Sequence, residues 1–273
     1  MPTLSKENIN IILASDSDSL ASMLTSNPHL ANAQDDKQNT LLHILSEQSP
    51  QNSAKMAQIL IDAGADVNTP NKLGQRPLQL AINDVDLVRI LLDSNAETAI
   101  YAENHFNMSP LEESLYNQRV DVANLLVEHG APVDLRIEAG LGKYDAICER
   151  IGQHGSFRYA SVGLPHQPGP KLSSNDGLRQ ALAYAVRNGQ IETIELLIDE
   201  GAPVNDLVPH IGRIGTPLHH AVEANQLEAA QVLTKHNAKI DIADDTEHLT
   251  PLDLAKRLNA SEIASHLNKL AHS

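Results

Sequence analysis

The chain has 273 residues, 35 acidic and 20 basic side chains, and a formal net charge of −15. Its 41% apolar content argues against disorder over most of its length. Its 3% aromatics, with no Trp, argue against one large aromatic-rich core and so against a β-sandwich or barrel. A single cysteine, Cys148, excludes a disulfide scaffold or a Cys-rich zinc module and suits a reducing, cytoplasmic setting. No run reaches the ~18 apolar residues of a membrane span, and the opening MPTLSKENINIILASDSDSL reads as no secretory signal. The acidity disfavours nucleic acid and favours a protein partner with a basic surface.

Two phased motifs recur along the chain. The first is T-L-L-H at Thr40, R-P-L-Q at Arg76, S-P-L-E at Ser109, T-P-L-H at Thr216 and T-P-L-D at Thr250. Thr40 to Arg76 is 36 residues, Arg76 to Ser109 is 33, and Thr216 to Thr250 is 34. The second is A-G-A-D-V-N ending at Asn68, H-G-A-P-V-D at Asp134, E-G-A-P-V-N at Asn205 and H-N-A-K-I-D at Asp241. A hydroxyl followed by Pro is a helix start, with the hydroxyl at the N-cap and Pro at the first helical position. A short helix such as Pro217–Glu223 follows, then a polar turn, then a longer helix such as Ile191–Asp199 or Val120–Glu128. Gly64, Gly130 and Gly201 end that second helix in the left-handed C′ position, where Asn95 and Asn237 substitute.

In chain order this predicts eight units: a cap at 4–35, then 36–70, 71–103, 104–134, a degenerate 135–175, 176–209, 210–243, and a cap at 244–273. The third unit has a shortened turn at Asn83–Asp84–Val85. The fifth retains helix-like stretches at Leu135–Gly140 and Tyr144–Ile151 without a T-P-L-H-like start. It then enters a segment, 152–175, with four Gly and three Pro in 24 residues, too punctuated for regular structure. The organisation expected is repeats over 1–151, an insertion loop at 152–175, and repeats over 176–273, in one continuous array.

The pattern resembles the ankyrin repeat family, whose signature is T-P-L-H-x-A at ~33 residues. The resemblance implies an all-α solenoid of about eight helix-turn-helix units with outward hairpin loops. It also implies a non-enzymatic protein-binding module that works through a concave face and its hairpin tips, with no cofactor. His43 and His219, fourth in their motifs, are then expected to brace the Thr hydroxyl and neighbouring loops. Family members can be hydroxylated at the hairpin Asn, which maps to Asn68 and Asn205.

No motif of catalytic chemistry appears: H-E-x-x-H, C-x-x-C, G-x-S-x-G and Walker-type glycine loops are all missing. Cys148, on the apolar side of its helix, reads as a small buried thiol. Asp35–Asp36 and Asp244–Asp245 read as turn-forming carboxylates.

Two clusters are candidates for partner binding. Phe157, Arg158 and Tyr159 lie together in the insertion, where 150–175 has three basic residues and no acidic one. They read as a recognition loop or as aromatics folded back onto the fifth unit. Phe106 at a hairpin tip, Met108 and Tyr116 form the second cluster, read as a contact patch or as packing against the next finger. The alternative to a binding module is an enzyme or small-ligand binder built on the 152–175 insertion, or a substrate of Asn hydroxylation.

Overall fold

The computed structural model describes residues 3–98, 108–154, 174–209 and 211–272. Among the described residues there are sixteen α-helices, in eight consecutive pairs, and no β-strand; a lone bridge joins Thr3 and Gln34. The chain forms two compact units, Met1–Ser114 with Asp121–Ala131, and Leu115–Val120 with Pro132–Ser273. The division falls within the fourth repeat.

The first unit carries α1 (Lys6–Leu13), α2 (Ser17–Ser26), α3 (Leu41–Gln48), α4 (Ser53–Asp62), α5 (Pro77–Leu80) and α6 (Val85–Asp93). It also holds most of α7 (Pro110–Tyr116) and α8 (Val120–Glu128). First helices stack on first helices, α1 on α3 and α3 on α5, and second on second, α2 on α4 and α4 on α6. The second unit repeats this with α9 (Leu135–Gly140), α10 (Tyr144–His154), α11 (Ser174–Arg187), α12 (Ile191–Asp199), α13 (Pro217–Glu223), α14 (Leu227–Lys235), α15 (Pro251–Arg257) and α16 (Ser261–Ala271). There α9, α11, α13 and α15 form one row, and α12, α14 and α16 the other. Each pair is too thin to bury its own apolar face, so neighbours supply the burial.

Local chemistry sets the helix ends. Pro77, Pro217 and Pro251 occupy first-turn positions. Ser109 caps α7 through a capping box: its N–H donates to Glu112 Oε2 at 2.8 Å, and the Glu112 N–H donates to Ser109 Oγ at 3.2 Å. Second helices end in Schellman closures, with Gly64, Gly130 and Gly201 at φ of +89°, +83° and +93°. In each, the following N–H returns to the last turn, as Ala65 to the Leu60 carbonyl and Ala202 to the Leu197 carbonyl. Asn95 and Asn237 adopt the same conformation at φ +64°.

The core is aliphatic throughout, and Tyr184 is the one aromatic side chain among the largest fully buried ones. Gly140 sits where a Cβ would lie 2.9 Å from Leu115 Cδ1, so α9 packs closely at this point.

The fifth unit starts with a helix despite its missing signature. Asp134 is the N-cap of α9, and its Oδ1 accepts from the N–H groups of Arg136 at 2.9 Å and Ile137 at 3.2 Å. The residue that closes H-G-A-P-V-D therefore opens the next helix directly, with no hairpin between. Cys148 is half-buried, which corrects the expectation of a buried thiol: it lies between buried Ile147 and exposed Glu149, one turn from exposed Tyr144.

Candidate functional site

The exposed edges of both units are hairpin tips held in place by side-chain clamps. Asn68 Nδ2 donates to the Asn95 carbonyl at 3.0 Å, and Asn68 Oδ1 accepts from the Glu97 N–H at 2.8 Å. Asn205 repeats this in the second unit, with the Asn237 carbonyl at 3.1 Å and the Lys239 N–H at 2.7 Å. Asn32, which carries no motif signal in the sequence, does the same with the Gly64 carbonyl and the Asp66 N–H. Each amide thus spans to the following hairpin through a donor and an acceptor.

His43 and His219 clamp the other side of the hairpins, as the resemblance implied. The Thr40 N–H donates to His43 Nδ1 at 3.1 Å, leaving Nε2 to donate to the Gln75 carbonyl at 3.0 Å. Thr216, His219 and the Leu249 carbonyl reproduce the arrangement at 3.1 and 2.9 Å. Burial pushes both imidazoles below their ordinary pKa. They are neutral braces with both nitrogens engaged. Asp35 and Asp244 are turn carboxylates: Asp35 Oδ1 accepts from the Lys37 and Asn39 N–H groups, each at 2.8 Å, and Asp244 Oδ1 accepts from those of Thr246 and Glu247, each at 2.7 Å.

A charge network in the second unit has no counterpart among the sequence expectations. Arg187 NH1 donates to Glu223 Oε2 at 2.6 Å, and Arg187 Nε donates to the Tyr116 carbonyl at 2.9 Å. The guanidinium lies over the Tyr116 ring, whose hydroxyl donates to the same Glu223 oxygen at 3.1 Å. Arg213, only 8% exposed, donates to Glu223, Asp244 and Glu247 at 3.3, 3.0 and 2.6 Å. Arg257 closes the chain with two bonds to Glu247 at 2.7 and 2.5 Å.

Burial opposes ionisation of Glu223, but the charges of Arg187 and Arg213 outweigh it and hold the carboxyl below its usual range. The bonds from Arg257 and then Arg213 hold Glu247 at about 2. Gly212, at φ +59°, faces the Tyr116 hydroxyl so closely that a Cβ would collide with it. The one sequence signal for this network is opposite charge spaced by one repeat, Arg187 to Glu223 at 36 residues and Arg213 to Glu247 at 34.

Of the residues singled out for partner binding, Phe106, Phe157, Arg158 and Tyr159 lie outside the described residues. Met108 is buried, at 4% exposure, in the first unit. Tyr116 is half-buried in the network of the second. Two exposed apolar side chains stand at the tips, Leu73 at 65% and Ile214 at 41%, while others such as Leu13 and Leu258 stand at helix ends. Among the described residues no group of His, Cys, Asp and Glu could hold a metal ion, and no helix is long and apolar enough to cross a membrane.

A family profile described as ankyrin repeats (3 copies) matches residues 10–102, 49–137 and 182–271. The chain belongs to the ankyrin repeat family. Similar ankyrin-containing relatives include Rabankyrin-5 of Mus musculus, 27% identical over 216 residues, covering 74% of this chain and 18% of that protein. The phosphate system positive regulatory protein PHO81 of Saccharomyces cerevisiae is 27% identical over 225 residues, covering 80% and 18% respectively. The chain thus spans about a fifth of these relatives. Among solved structures, the ankyrin repeat domain of human ASB11 superposes with a TM-score of 0.52 at 17% identity, covering 97% of each chain. Ankyrin repeats generally mediate protein–protein interaction.

Proposed function

We propose that this chain is a non-enzymatic module that binds a protein partner through its hairpin tips and the face formed by the first helices of each pair. The observation that carries this reading is the clamping of consecutive tips by Asn32, Asn68 and Asn205, with Leu73 and Ile214 left exposed beside them. A surface already ordered loses little conformational entropy on binding, so modest contacts suffice for affinity. The net charge of −15 favours a partner with a basic surface.

Phe106, Phe157, Arg158 and Tyr159 are the anchors this reading puts to substitution, with 152–175 as an insertion between the repeats of 1–151 and 176–273. Buried Met108 and networked Tyr116 serve by holding the frame. The free thiol of Cys148 supports a reducing compartment, read here as the cytoplasm.

Photo-crosslinking side chains placed at Leu73 and Ile214, with Gln58 on α4 as the comparison, test the reading in cells. Crosslinks to one protein from the tips and not from Gln58 are expected. Crosslinks from Gln58 alone, or turnover in a substrate screen that is lost on deleting 152–175, would refute it.

A further inference from the structure

We propose that the notch between the hairpin tips at Lys37 and Lys72 docks an extended, locally acidic segment of the partner, seating one aliphatic side chain between flanking carboxylates. This deepens the interaction reading above and rests on it. The notch is a cavity of about 330 Å³ whose rim carries Lys37 and Lys72. Leu73 and Leu80 supply apolar surface, and Asn39, Asn71, Gln75 and Glu47 complete the wall. Leu73 is the most exposed of the large apolar side chains among the described residues, at 65%.

The two tips are fixed to each other, because the Lys72 N–H donates to the Lys37 carbonyl at 2.9 Å. Among the described residues neither lysine has an ion-pair partner. Of the two carboxylates beside Lys37, Asp36 is exposed and makes no ion pair with it, and Asp35 is turned onto its own loop, bonded to the Lys37 and Asn39 N–H groups and to Asn39 Nδ2 at 3.2 Å. The lining thus holds two cations against one anion, Glu47, in a chain whose net charge is −15. Charges screen over about 8 Å at physiological salt, so at contact range the charges lining the notch weigh more than the acidity of the rest of the chain.

In an extended peptide, side chains two positions apart share a face and rise about 6.6 Å. An aliphatic residue with carboxylates two positions before and after it therefore presents the matching pattern. Lysine stems are long enough to reach both carboxylates while covering the aliphatic group.

The test is an amide-shift titration of the full chain with a synthetic peptide containing Glu-Ser-Leu-Ser-Glu. Peptides with Lys-Ser-Leu-Ser-Lys and Glu-Ser-Gly-Ser-Glu serve as controls. Shifts at Lys37, Lys72, Leu73 and Gln75 are expected with the first peptide alone. The double variant K37E/K72E should weaken binding about tenfold or more, whereas K239E/K256E, an equal charge change on the second unit, should leave it unchanged. Absence of shifts at millimolar peptide, equal response to the lysine peptide, or equal weakening by K239E/K256E overturns the inference. If tip crosslinking still captures a partner in that case, the notch fails and the interaction reading stands.

Discussion

The guanidinium of Arg187 lies 3.6 Å from the centroid of the Tyr116 ring while donating to Glu223, so one arginine joins α7, α11 and α13. Glu223 in turn neutralises Arg213, and the two arginines are 5% and 8% exposed. Glu223→Ala strands Arg187, whereas Arg213 keeps Asp244 and Glu247, and breaking a buried pair in this way costs about 3–5 kcal/mol. Tyr116→Phe retains the ring over Arg187 and removes the hydroxyl with its bonds to Glu223 and to the Arg213 backbone, for about 1.5–3 kcal/mol. Urea denaturation of both variants checks the order. A Tyr116→Phe loss larger than that of Glu223→Ala would show that the network is organised around the hydroxyl.

Asp134 combines two duties at the start of α9. It caps the helix, and its Oδ2 pairs with Arg136 at 2.8 and 2.7 Å with each side chain only 5% exposed. Asp134→Asn keeps a side-chain acceptor for the cap and loses the charge, whereas Asp134→Ala loses both. The alanine variant is expected to be less stable than the asparagine variant by about 1 kcal/mol, the ordinary value of an N-cap. Equal thermal midpoints would mean that the cap contributes nothing beyond the ion pair.

Acidification should weaken the fold in two stages. His43, His219 and His220 are held below their ordinary value of 6.5, in each case first by burial. Unfolded, they bind protons that the folded chain excludes, so their stabilising share is complete above about pH 6.5 and is lost as pH falls towards the folded values. Glu247 follows the same sign lower down: its share is complete above 4.5 and disappears as pH falls towards about 2. Glu113 is raised by burial and acts oppositely, favouring the fold most at low pH and less as pH rises through its folded value. Urea midpoints should therefore decline between about pH 7 and 5, and His220→Leu should flatten that limb. An unsloped wild-type profile over this range would contradict the assignment.

The hairpin clamps make a local prediction. Asn68→Ala removes a donor to Asn95 and an acceptor for the Glu97 N–H. The bonds are solvent-exposed, so about 1 kcal/mol is expected, or roughly fivefold faster hydrogen exchange at the Glu97 amide. Asn205→Ala should act in the same way on Lys239. Unchanged exchange at both amides would show that the tips are ordered by their turns alone.

Much of the fold is legible in the residues themselves. Pro at the first helical position, hydroxyl or carboxylate caps, and Gly or Asn at the left-handed position act within a few residues of themselves. The bounds of Pro217–Glu223 and Ile191–Asp199 therefore follow from their own residues and immediate neighbours. The brace of His219 is what the family resemblance implies, whereas the clamp of Asn68 is seen only in the structure. Asp134 is harder to read because one residue ends a hairpin motif and caps a helix at once, and the sequence shows only the first role. The pairing of Arg187 with Tyr116 across 71 residues comes from the tertiary structure alone, and that of Arg213 with Glu247 has only its spacing of 34 residues as a signal in the sequence. Backbone preference places each of these side chains on its own helix or loop. Which charge meets which depends on how the helices stack and how far each loop reaches, and those geometries are set by the packing of apolar faces on neighbouring repeats, which no local signal encodes.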